Sequence, residues 1–216
     1  MRVDKYERKK KRMGRILTIG IAFIMIASIF AIVIDNQSQG TPSYNKHSFV
    51  ASTNGYKTKI NGVYQEFYYY PGDLEYISLS SDILTRIQKS QGIGFIFNPE
   101  DNVTENLQYI DVMRYELQLQ MNKPVYFGIT QNSTKYNLPA ATEYSLPVVK
   151  CENATEMFPL ILINSSLNTG FVQSTTNPNC IIMNAKLRDL LAAKDRLVYT
   201  YYGIMQYSNN TNSTNT

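Results

Sequence analysis

The sequence predicts an α/β fold: a mixed sheet covered by helices as a two-layer sandwich, preceded by one N-terminal transmembrane helix. Three observations carry that expectation. The runs Ile93 to Phe97, Leu160 to Ile163 and Cys180 to Met183 are continuously apolar, as strands buried on both faces must be. Two longer segments, Glu105 to Met121 and Lys186 to Met205, repeat apolar residues at three- and four-residue steps, the period of a helix with one buried face. Ahead of both lie nineteen uncharged residues, Ile16 to Ile34.

At about 1.5 Å per residue those nineteen residues reach about 28 Å, close to the hydrocarbon thickness of a bilayer. Residues 1–15 before them carry eight basic and two acidic side chains, while the rest of the chain carries thirteen basic and fifteen acidic. The whole basic excess therefore sits beside the apolar run, and the positive-inside rule places that end in the cytoplasm. A cleaved signal peptide is the competing reading. Its apolar core is usually shorter, about 7–15 residues, and Ala27-Ser28-Ile29 is a poor cleavage site. An uncleaved signal anchor is expected, with everything after Asp35 outside. The basic run Arg8 to Arg12 is read as its flank, so no nucleic-acid partner is expected.

The remaining elements follow in order. Residues 35–48 are polar and aperiodic and are expected to form a stalk, with the outer domain spanning 49–207 and a disordered tail at 208–216. Asn61-Gly62 between Lys57 to Ile60 and Val63 to Tyr70 is a two-residue hairpin signal. Leu74 to Leu79 alternates like a strand, and Ser81 is placed to cap a short helix over Asp82 to Lys89. Thr104 plays that part for the helix at Glu105. Further strands are expected at Val125 to Ile129, Leu146 to Val149 and Phe171 to Gln173. Tyr68, Tyr69 and Tyr70 span both faces of a strand, so at least one ring is expected to face outward.

The residues available for chemistry are few. There is one His and no Trp, and His47 falls in the expected stalk, which removes histidine-based triads and histidine-rich metal sites. No phosphate-cradling glycine motif is present, and no cofactor, metal or catalytic residue is assigned. Glu100 and Asp101, directly after an apolar strand, are the one carboxylate pair placed where α/β proteins hold ligands, which leaves a carboxylate-dependent glycan hydrolase as the alternative function. Asp111 and Arg114, at i,i+3, are expected to form a local ion pair. Asp195-Arg196, set among apolar neighbours, is expected to be a buried pair that docks the last helix.

Export has its own signature. Asn-x-Ser/Thr triplets begin at Asn36, Asn102, Asn132, Asn153, Asn164, Asn209 and Asn212, all beyond the apolar run, and the six from Asn102 onward are candidate glycosylation sites. Cys151 and Cys180 are the only cysteines, and an even pair in an oxidising compartment bridges. That closure stabilises by roughly 3–4 kcal/mol. The expected function is a membrane-anchored extracytoplasmic domain that binds a protein partner or serves an envelope assembly.

Phe97-Asn98-Pro99-Glu100-Asp101 and Tyr109 to Leu117, together with Cys151 to Thr155, Cys180-Ile181-Ile182, Asp195 to Tyr199 and Gly203-Ile204-Met205, resemble a pattern in uncharacterised single-span proteins of small, reduced-genome archaea. The likeness covers most of Asn54 to Met205. It implies a membrane-anchored outer domain with a Cys151–Cys180 pair, and no activity.

Overall fold

The computed structural model describes residues 19–26, 28, 41–100, 104–131 and 146–208. Asn36, Asp101, Asn102, Asn132, Asn209, Asn212, the basic segment 1–15, residues 35–40 of the expected stalk and residues 209–216 of the expected tail lie outside them. The chain divides into two compact units, Met1–Pro42 and Ser43–Thr216. In the first, residues 19–26 are helical. Among the described residues no helix is long and apolar enough to cross a membrane.

The second unit is α/β with a mixed sheet, as expected, and it adds a second sheet that was not. Strands β1 (Ser43–Tyr44), β2 (His47–Ser52), β3 (Gly55–Ile60) and β4 (Val63–Phe67) form an antiparallel meander in the order β1-β2-β3-β4. The β3–β4 turn is the expected one: Asn61 and Gly62 have φ of 51° and 86°, both positive, as a two-residue hairpin needs. The β1–β2 turn uses the same left-handed conformation at Asn45 and Lys46, φ 45° and 69°. It carries no glycine, which is why 43–48 read as stalk. Asn45 tolerates that conformation, and its Nδ2 donates to the Ile204 carbonyl at 3.1 Å. Among the described residues, strand structure therefore starts at Ser43, inside the expected stalk.

The larger sheet contains β5 (Ile93–Phe97), β6 (Val125–Ile129), β7 (Leu160–Asn164), β8 (Gly170–Gln173) and β9 (Cys180–Asn184), in the order β6-β5-β7-β9-β8. All pairings are parallel except β8 with β9. Helices α1 (Ser81–Lys89), α2 (Thr104–Gln120) and α3 (Asp189–Tyr201) complete the unit. The odd-numbered side chains of the sheet, Phe95, Phe127, Ile161, Ile181 and Met183 among them, share one buried cluster with Ile110, Met113 and Leu117 of α2 and Leu190 and Leu197 of α3. Phe49 and Phe67 of the meander belong to the same cluster, and both pack on the ring of Tyr199. Each such side chain contributes roughly 1.5–3 kcal/mol on burial. Every residue from Leu190 to Thr200 is buried, its apolar side chains in the shared core and its charged ones against polar groups of neighbouring chain.

Three element expectations are corrected. Leu74 to Leu79 is not a strand: a 3-10 turn occupies Pro71–Leu74, and only Ser78 and Ser80 make single bridges. Leu146 to Val149 shrinks to one bridge from Val148 to Ile129. The last helix begins at Asp189, since Leu187 at φ 52° breaks any earlier start.

Candidate functional site

The sheet order defines one edge to inspect first. β6 lies on one side of β5 and β7 on the other, so the strand order reverses between β5 and β7, and in open α/β sheets ligands sit beyond the carboxyl ends at such a point. Glu100 is there, half-buried. Gln131 Nε2 donates to Glu100 Oε2 at 3.0 Å and to Asn98 Oδ1 at 3.2 Å, while the Glu100 N–H donates to Asn98 Oδ1 at 3.1 Å. Nearby strand ends are also amide-rich: Asn164 Nδ2 donates to Asn184 Oδ1 at 2.7 Å. Buried Asn106, on the first turn of α2, donates to Ser165 Oγ at 3.0 Å and accepts from the Leu187 N–H at 2.8 Å. These contacts hold loops together. Glu100 is set by neutral groups, and Asp101 lies outside the described residues.

A second concentration of polar groups was foreseen only in part, at Asp195. Lys194 and Asp195 have 0% exposure, and Lys194 Nζ pairs with Asp195 Oδ1 and with Glu116 Oε2, each at 2.6 Å. Asp195 Oδ2 accepts the Tyr68 and Tyr69 N–H groups at 2.8 and 3.0 Å, and Tyr68 Oη donates to Glu116 Oε1 at 2.8 Å. Arg196, the expected partner of Asp195, instead donates to the carbonyls of Ile77 at 3.0 Å and Gln206 at 2.7 Å. The expected Asp195–Arg196 pair is therefore corrected: successive helix residues point apart, so each charge finds its own partner.

Burial pushes the Asp195 carboxyl up, against Lys194 and the two N–H groups, which pull it down. Burial and then the Glu116 carboxylate push the Tyr68 phenol up, so it stays a donor. The network docks the corner after β4 onto α3. It also turns Tyr68, Tyr69 and Tyr70 inward: all three are partly buried, and Tyr70 Oη donates to the Ser43 carbonyl at 2.7 Å. The outward-facing ring expected there is not found. Beside Glu116 and Glu66 a pocket of about 100 Å³ opens, floored by Gly55. A cleft of about 230 Å³ lies at Arg86, Lys89 and Glu156. Both fall below the roughly 300–1,000 Å³ of small-molecule sites.

The third feature is the other face of the larger sheet. Register places Tyr126, Gly94, Ile96, Leu160, Leu162, Cys180, Ile182 and Val172 together on it. Irregular chain around Val149, Cys151 and Ala154 covers its middle, fastened by the Cys151–Cys180 disulfide with a Cα separation of 5.3 Å. The predicted bridge is present. Around this cover Tyr126, Val148, Met157, Phe158 and Val172 remain exposed, with Tyr126 and Phe158 in edge contact at 6.5 Å. Of the sequons, Asn153 and Asn164 are described, and both are exposed.

Among the described residues no group of three or more His, Cys, Asp or Glu side chains is placed to hold a metal ion. No protein-family model, curated protein or solved structure matches this chain.

Proposed function

We propose that the protein is a membrane-anchored extracytoplasmic domain that binds a protein partner through the open face of its larger sheet. The carrying observation is the exposure of large apolar side chains on that face: Tyr126 is 57% exposed, Val172 47% and Phe158, in edge contact with Tyr126, 43%. Parallel sheets are ordinarily covered on both faces, and a contiguous apolar surface with aromatic anchors is what protein interfaces use. Anchorage is supported by the sequence run and by residues 19–26, whose Ile19, Phe23, Ile24 and Met25 are each more than 60% exposed. A helix apolar on every side needs an apolar surround. Hydrolysis at Glu100 is favoured by no contact described above.

Affinity capture of the full chain from a detergent extract tests the reading. A stoichiometric partner is expected with the native chain and is lost when Tyr126→Glu and Phe158→Glu are combined. Retention of the same partner by that variant, or repeated recovery of the chain alone, contradicts it.

A further inference from the structure

The fold treats differently the two Asn-x-Ser/Thr triplets that lie within the described residues. Asn153, followed by Ala154 and Thr155, closes the 3-10 turn Cys151–Asn153 on the cover of the larger sheet. Its Oδ1 accepts the Lys150 N–H at 2.9 Å, and its own N–H donates to the Lys150 carbonyl at 2.9 Å. A carboxamide is planar, so an oxygen held by the backbone turns the nitrogen the other way. Asn153 is exposed, and among the described residues no acceptor meets its Nδ2. Ala154 is buried against the sheet, while Thr155 is exposed and its Oγ1 accepts the Phe158 N–H at 3.1 Å. The triplet is thus fixed at its middle residue and presents its amide and its hydroxyl outward.

Asn164, followed by Ser165 and Ser166, is also exposed, yet its amide is engaged. It ends β7 opposite Asn184 of β9, and its Nδ2 donates to Asn184 Oδ1 at 2.7 Å. Both serines of this triplet are partly buried, and Ser166 Oγ accepts the Asn168 N–H at 3.3 Å.

We propose that Asn153 carries an N-linked oligosaccharide and that the contact with Asn184 keeps Asn164 bare. The proposal rests on the domain lying outside the membrane. The sugar donor is a polyprenyl-phosphate-linked oligosaccharide. Transfer forms a bond from Asn153 Nδ2 to the first sugar's anomeric carbon and breaks that carbon's bond to the phosphate oxygen. The phosphate leaves with the bonding pair, and the amide gives up one proton. At Asn164 the same nitrogen must first leave Asn184, and the net worth of one hydrogen bond lowers occupancy there by about fivefold. A sugar is also bulky and hydrophilic, and at Asn164 it would have to enter between two paired strand ends.

The test expresses the full chain in cells that glycosylate Asn on export and extracts it in detergent. Chains with the Cys151–Cys180 bridge intact are digested with a glycosidase in heavy-oxygen water, and each converted Asn is read by peptide mass. Conversion is expected at Asn153, at least about fivefold above that at Asn164. Thr155→Ala should abolish it and Thr155→Ser retain it. Asn184→Ala should raise conversion at Asn164 while the thermal melt stays within a few degrees. Equal conversion at the two sites, or Asn164 still bare in Asn184→Ala, overturns the assignment to that contact. Asn153 bare in a domain that added protease removes from intact cells overturns the proposal while the anchored reading stands. A protected domain bare at every triplet overturns both.

Discussion

Asp195 has 0% exposure and is set one residue from a cation it can reach. Its carboxylate joins three donors: Lys194 on its own helix and the Tyr68 and Tyr69 N–H groups at the start of the next turn of chain. Removing it leaves Lys194 short of one counter-charge and two buried N–H groups unpaired. Asp195→Ala is expected to lower stability by about 3–5 kcal/mol, read from the midpoint of urea unfolding at unchanged slope. A loss below about 1 kcal/mol, the size of a surface pair, contradicts the buried role. Half of this network was legible. Asp195-Arg196 stands out in an apolar helix, and a docking role followed from it. The partners were not legible, because Glu116 and Tyr68 approach from 78 and 127 residues away, and adjacency in sequence suggested the wrong cation.

Secondary structure was most readable where one element carried its own signal. β5, β7 and β9 announced themselves as unbroken apolar runs, and α2 by its period. Elements whose pairing is decided by distant chain were missed: β1 hides in polar residues, and its turn works without glycine because Asn45 is held by the Ile204 carbonyl. Leu74 to Leu79 alternates like a strand, but its residues are spent on filling the core between the meander and α3. The disulfide is the element-scale device with the clearest consequence. It pins the chain after Val149 to β9 and closes a separation of 29 residues. Cys151→Ser should cost roughly 3–4 kcal/mol and release the cover from the middle of the sheet, exposing Ile96 and Leu160. Protease sensitivity around 150–158 in the variant, with a stable remainder, is the expected pattern. Two alkylated thiols in the native protein without reductant contradict the bridge.

At the scale of the molecule, the helices and the meander complete one side of the larger sheet and leave the other to a short irregular cover. The domain hides eleven consecutive residues of α3 and still exposes Tyr126, Met157 and Phe158, the surface proposed above for a partner. The proposed anchorage puts that surface outside: the basic excess lies entirely in residues 1–15, before the apolar run, and the cysteines and sequons all follow it. The most direct measurement is protease added to intact cells, followed by detection of both ends of the chain. The anchored arrangement predicts loss of the domain from Ser43 onward and survival of a membrane-bound fragment carrying residues 1–15. Full protection of the chain, or a mature protein that begins beyond the apolar run, contradicts it.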